Sequence, residues 1–407
     1  MSSKKMMIIF LFAALLFYAA VYLSADANPN FEYPKCTEAM RQYFAQRYFI
    51  TICSPLWAAC VMFLCLQTGM VAKLRDSFSG LKNYIPRLLL SVFSIYILGY
   101  LIKLPFIFYS SYVLEHNFGL SPQSFPAWAK EQFGFFAVGL FIVPFVAICF
   151  LLVRRYQHSW FIPVWILTSI TAVFVAFVEP VVIEPLFNHF QPLPESSLRQ
   201  SIKALSTKLE LPNLEILVAD KSKQTKKINA YVNGVASTKR IVLYDTLVKD
   251  VPEDEVLAVV AHELGHYKLK HVLIGLAIAI AGMLPLFYAA QILSDKYIAK
   301  LPRSWGIKSS SDPALFAVYC LIIWIGPLFI APIPSFISRM FESEADAYAI
   351  RVTQNPLAAA KAFAMLSEKN ISDPDPPAFI EFWFFSHPSI KHRIDYALSQ
   401  RVAGKEN

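Results

Sequence analysis

Charge is what this sequence has least of. Asp, Glu, Lys and Arg together supply 16% of its 407 residues, against 56% that are hydrophobic. Soluble domains carry about 25% charged residues, so an ordinary soluble protein is a poor reading. Cysteine is sparse as well. None of the six (Cys36, Cys53, Cys60, Cys65, Cys149 and Cys320) forms a Cys-x-x-Cys pair. Most lie inside apolar stretches and read as small core or lipid-facing residues, which excludes a disulfide framework and a cysteine metal site. The formal net charge is +8, yet no basic run is interleaved with aromatics, so no nucleic-acid groove is expected. The excess belongs to loops beside anionic lipid. There is no internal repeat and no low-complexity tract.

What is present is a series of apolar windows near the roughly 20 residues that a bilayer demands of a helix. The first, Met6 to Leu23, follows Lys4-Lys5. Ala25-Asp26-Ala27 after it resembles a leader-cleavage site, but the run is long for a leader and reads as an anchor, with a cleaved leader as the alternative. Then come Phe49 to Met70, Leu88 to Tyr109, Phe133 to Val153 and Trp160 to Val178. Only Arg154 to Ser159 separates the last two, which predicts a tight antiparallel pair. Val272 to Leu293 and Leu315 to Phe336 complete seven windows. Pro327, Pro332 and Pro334 should kink or end the last.

Between the fifth and sixth windows the chain turns polar. Glu195 to Leu209 places Leu198, Ile202, Leu205 and Leu209 on one helical face. Glu215 to Ala219 reads as a strand. Lys221 to Lys227 reads as a solvated turn. Ile228 to Val232 and Arg240 to Tyr244 read as strands flanking the turn signal Asn233-Gly234, so a small sheet is expected. Pro252 and the acids around it start a helix that leads toward the sixth window without an obvious break.

That helix carries His262-Glu263-Leu264-Gly265-His266. Two histidines four apart lie on one helical face, so both imidazoles reach one ion. The adjacent glutamate can deprotonate a water activated there. This is the His-Glu-x-x-His signature of zinc peptidases. His271, five residues beyond His266 on a continuous helix, would point about 140° away and reads as an interface residue. A third ligand must come from another element. After the seventh window, Phe341-Glu342-Ser343-Glu344-Ala345-Asp346 puts Glu342 and Asp346 one turn apart on one face, with Glu344 facing elsewhere. Glu342 has the chemistry of a ligand and Asp346 that of a residue orienting a ligating histidine. A solvated acidic helix start is the alternative.

These two motifs together resemble the type I CAAX prenyl proteases, zinc endopeptidases embedded in membranes. The resemblance extends to Pro185 through Leu193, to Asn229-Ala230-Tyr231, to Lys239 through Leu247, to Glu115 through Leu120, and to His387-Pro388-Ser389 with Arg393. It runs from about residue 110 to 395, and the short chain with an N-terminal anchor looks more like bacterial members. It implies one Zn2+ per chain held by His262, His266 and Glu342, with Glu263 as general base and Asp346 in a proton-donor or orienting role. It implies that His387 and Arg393 lie near the cleft and that Asn229, Ala230 and Tyr231 form a substrate-holding edge strand. It also implies a fold: a mainly α-helical integral membrane protein, with about seven membrane helices around a chamber and a small α+β zinc metalloprotease domain.

The expected division is 1–180 for five membrane helices, 181–271 for the sheet and zinc-motif helix, 272–338 for two further membrane helices, and 339–407 for the segment with the third ligand. His387 or Arg393 is the candidate for stabilising the oxyanion. A helix-capping His387, a lipid-interface Arg393 and an ordinary hairpin arm at 229–231 are the alternatives. Expected partners are a peptide or protein substrate, prenylated or not, and the lipid bilayer. The membrane would be the inner membrane of a bacterium or the endoplasmic reticulum of a eukaryote. Basic residues cluster on the loops opposite the protease segment, which would place that segment outside the cytosol, whereas the resemblance implies, at least for eukaryotic members, the cytosolic side, and both orientations stay open. Two other functions remain at this point: a membrane quality-control protease of the same chemistry with no prenyl requirement, and a seven-helix transporter or receptor with an incidental metal site. Charges concentrated in loops count against a transporter.

Overall fold

A computed structural model describes residues 31–211, 214–233 and 239–403. The first apolar window and Gly234 of the turn signal lie outside them. The next four windows form helices. Helix α1 (Glu38–Gln67) is capped by Thr37, whose side chain accepts from the Met40 N–H. After the short α2 (Met70–Asp76), α3 (Tyr84–Phe108) runs through a wider turn to Asn117. Helices α4 (Phe125–Gly139) and α5 (Ile142–Arg155) form one span, and α6 (Phe161–Val178) packs against α5, as the short connection predicts.

The polar part of the chain follows. Strand β1 (Phe190–Pro192) leads to α7 (Ser197–Lys208), which buries Leu198 and Ile202 as its periodicity requires. Strands β2 (Glu215–Ala219), β3 (Ala230–Asn233) and β4 (Arg240–Tyr244) come next. The sheet order is β1-β2-β4-β3, with β2 and β4 parallel and β3 antiparallel to β4 in the register Tyr231 opposite Val242. Strand β3 is therefore an edge. A short α8 (Asp245–Asp250) precedes α9 (Glu253–Lys268), whose Val256, Val260 and Leu264 join Ile202, Ile241, Leu243 and Ile394 in the core.

Helix α9 does not run into the sixth window, which corrects the expectation of an unbroken helix. Lys270 adopts a left-handed backbone, φ 59°, and a separate α10 (His271–Tyr297) begins. Helices α11 (Leu315–Ile330) and α12 (Pro332–Thr353) are bent by 57° where the prolines fall. The C-terminal part adds α13 (Pro356–Lys369), α14 (Ala378–Phe384) and α15 (Ile390–Ala403).

Among the described residues, 5 helical stretches are long and apolar enough to cross a membrane, and the bent pair makes 6. None of the apolar window of α10 is buried inside the protein, and little of α6 is. Such surfaces require lipid to cover them. A second core, with Met62, Leu66, Val92, Ile95, Phe150 and Ala317, joins α1, α3, α5 and α11.

The membrane half and the sheet meet at a polar joint. Lys227 Nζ lies 2.8 Å from Glu115 Oε2, Tyr43 donates to Glu115 Oε1 at 2.7 Å, and the Lys226 N–H donates to the Leu120 carbonyl at 2.8 Å. The lysine loop is solvated over Ser222, Lys223 and Lys226, but not to its end. Its last residue is drawn into the protein by a carboxylate on a membrane helix.

Candidate metal centre

Helix α9 has one face in the core beside the sheet and the other against α12. The two helices touch at Gly265. A Cβ there would lie 3.3 Å from Cα and O of Ala345 and 3.3 Å from Cβ of Tyr348, and Ala345 is fully buried. Small residues on both helices permit this approach, and the approach brings Glu342 across to the two histidines.

The result is a cluster of three donor groups, His262, His266 and Glu342, whose ligand atoms all lie within 4.8 Å of one another. His262 Nε2 is 3.1 Å from His266 Nε2 and 3.2 Å from Glu342 Oε2. His266 Nε2 is 3.4 Å from Glu342 Oε1. Ligands at about 2.0–2.1 Å around a tetrahedral ion are separated by about 3.3–3.4 Å, and the two imidazole nitrogens and the two oxygens of the Glu342 carboxylate lie near that spacing. Two imidazole nitrogens aimed at each other, with Glu342 Oε2 buried and lacking an aligned hydrogen bond, are satisfied together by one cation at their centre. The electrostatics agree. Burial by itself would lower the His262 pKa, yet Asp346 and Glu342 raise it to about 10. The pocket draws positive charge.

Behind the cluster, Asp346 Oδ1 lies 2.8 Å from His262 Nδ1. That contact leaves Nε2 as the free donor facing the other ligands. Arg393 donates to both Asp346 oxygens, at 2.8 and 2.7 Å. Both side chains are buried, so Arg393 is placed behind the donors and not on the open cleft. His387 is on the open side, with its side chain 52% exposed and Nε2 3.3 Å from Glu342 Oε1. Glu263 is half-buried, and among the described residues no hydrogen bond holds its side chain. Burial pushes its carboxyl above the usual range, against the pull of His262 and His266.

Strand β3 packs beside α9. The Tyr244 N–H donates to the Asn229 carbonyl at 3.0 Å, which makes residues 229 and 244 a hydrogen-bonded pair. By alternation, the backbone groups of Ala230 and Val232 face the free edge. The Ala230 N–H there is taken by Asn229 Oδ1 at 2.9 Å, while Tyr231 pairs inward.

Over residues 192–401 the chain matches the model of peptidase family M48. It belongs to that family. Residues 32–189 match the model described as CAAX prenyl protease N-terminal, five membrane helices. A CAAX prenyl protease 1 homolog from Arabidopsis thaliana is 32% identical over 72% of this chain and 68% of its own. An uncharacterized metalloprotease, YhfN, of Bacillus subtilis is 29% identical over 96% of this chain and 94% of its own. The crystal structure of S. mikatae Ste24p superposes with a TM-score of 0.79 at 22% identity, over 96% of both chains, and shares the fold. The M48 protein described here is therefore a multi-pass membrane metalloprotease of the CAAX protease type.

Several supporting residues of this metalloprotease escaped the sequence. Buried Arg339 donates to the carbonyls of Glu381 and Phe385, and Glu381 accepts from the Ser389 N–H at 3.1 Å. Together they hold the loop that carries His387. The signal was a lone basic residue on α12, one turn before Glu342, indistinguishable from a membrane-interface arginine.

Proposed function

We propose that the chain is a zinc endopeptidase that cleaves the C-terminal tails of lipidated proteins or peptides. The observation that carries this reading is the convergence of His262 Nε2, His266 Nε2 and the Glu342 carboxylate, whose ligand atoms all lie within 4.8 Å of one another. His262, His266 and Glu342 would hold the zinc. When bound, the ion would supply Lewis acidity, lowering the pKa of water toward neutrality and polarising the scissile carbonyl.

The chain's own residues would do the rest. Glu263 takes the proton of the attacking water and delivers it to the leaving amine. Asp346 holds the His262 ring and is held in turn by Arg393, so both serve geometry. His387, exposed at the open side, donates to the oxyanion. The free edge of β3 takes an extended peptide as an added strand, with backbone hydrogen bonds that demand little sequence. The working unit would be assembled from 181–271 and 339–407, with the helices of 272–338 carrying one part to the other.

The decisive experiment is Glu263→Gln in the purified full chain. It should retain near-stoichiometric zinc and lose cleavage of a farnesylated CAAX peptide. Cleavage at the parental rate would sink the mechanism. A prenyl-independent quality-control role uses the same chemistry. Edge-strand recognition through backbone favours it, and matched peptides with and without the prenyl group decide between the two.

A further inference from the structure

His271 lies outside the ligand triangle, yet its ring returns to it. The left-handed Lys270 ends α9 and turns the chain, so the first residue of α10 folds back over the last turn of α9. His271 Nδ1 is 2.9 Å from His266 Nδ1, and its Nε2 is 3.0 Å from Glu344 Oε2. The ring is 4% exposed and stacks on Phe341, with centroids 4.4 Å apart and planes 6° from parallel.

Hydrogen-bond accounting assigns every proton in this chain. His266 Nε2 faces His262 and Glu342 and must offer a lone pair to serve as a ligand. Its proton therefore sits on Nδ1. His271 Nδ1 must accept that proton's hydrogen bond, so the His271 proton sits on Nε2, where the Glu344 carboxylate accepts it. A carboxylate at the far end favours this order over its reverse. His262 has Asp346 directly at its back, and His266 has Glu344 at its back through one intervening imidazole.

We propose that His271, supported by Glu344, is a positioning residue for the metal. It fixes the ring and tautomer of His266 and raises the basicity of its Nε2. This rests on the ligand set proposed above.

The test is zinc affinity of the full chain in detergent, measured by competition with a chromogenic chelator, with the melting temperature of the metal-free protein alongside. His271→Phe preserves the stack on Phe341 and removes both nitrogens. It should bind zinc about 10–100-fold more weakly than the parent while the metal-free protein melts as before. His271→Asn restores an acceptor at the position of Nδ1 without reaching Glu344, and should recover much of the loss. Glu344→Gln should fall between the parent and His271→Phe. Parental affinity in His271→Phe overturns the proposal. So does an Asn variant no better than Phe, or an affinity loss that merely follows a fall in metal-free melting temperature. If the parent itself binds no zinc, the ligand set fails and the proposal with it.

Discussion

Nδ1 of His262 and Oδ1 of Asp346 face each other at 2.8 Å across the crossing of α9 and α12. Neither side chain is on the surface, and Arg393 closes the far side of Asp346 with two hydrogen bonds. An imidazole, a carboxylate and a guanidinium thus form one buried column at the candidate metal centre, and its parts are separable by mutation.

Arg393→Met leaves Asp346 buried without its cationic partner. Removing one member of a buried pair costs about 3–5 kcal/mol when the remaining charge is left uncompensated, and here the His262 ring, which Asp346 holds in its charged form, offsets part of that cost. The metal-free protein should lose stability up to that scale, read as a lower unfolding midpoint in detergent. A loss below about 1 kcal/mol would mean that the pair is solvated. Asp346→Ala, by contrast, should show most clearly in zinc affinity, about 10–100-fold weaker, since it frees the His262 ring to turn.

Gly265→Ala sets two effects against each other. Alanine in a helix interior gains about 0.8–1.0 kcal/mol over glycine. The new Cβ would lie 3.3 Å from backbone atoms of Ala345, and overpacking of this kind costs about 1–3 kcal/mol. The clash should win and widen the crossing, drawing Glu342 away from the histidines. Weakened zinc binding is the expected result. If Gly265→Ala binds zinc as the parent does, the close crossing is not what sets the triangle.

Val232→Pro probes the edge strand. Proline is tolerated where the N–H faces outward and removes only that donor. The sheet should survive, and a lost peptide hydrogen bond worth about 0.5–1.5 kcal/mol should lower kcat/KM by roughly 2- to 13-fold. An unchanged kcat/KM would remove β3 as the substrate strand.

Lys227 and Glu115 test the joint between the two halves. Both are partly buried, 30% and 13% exposed at the side chain. Lys227→Met and Glu115→Gln, alone and together, form a double-mutant cycle. Residues in direct contact should couple by about 0.5–3 kcal/mol of stability. Additive effects would show that the contact does not hold the halves together.

Metal removal completes the set. Zinc at about 1,000 times its Kd adds about 4.1 kcal/mol to stability by mass action. Chelation should therefore lower the melting temperature and abolish cleavage together, and added Zn2+ should restore both.

Much of this was legible in the chain itself, for physical reasons that act locally. Windows of apolar residues must be helices in lipid, because a bilayer satisfies no backbone hydrogen bond. His262 and His266 share a face by helical pitch alone. Pro327, Pro332 and Pro334 lack the N–H that would have continued α11, and the 57° bend falls among them. Glu342 was readable only as a candidate, because its partners lie 76 and 80 positions away. The misread positions share a cause. Lys227 reads as solvated until the fold brings Glu115 beside it. His271 points away from His266 on a continuous helix, and the break at Lys270 carried no glycine to announce it. Local pattern therefore determined the helices, the strands and the spacing of the two histidines. The crossing at Gly265, the carboxylate behind each ligand histidine and the burial of Arg393 were decided by tertiary packing, because each depends on atoms that the chain brings together only when α9, α10, α12 and α15 converge.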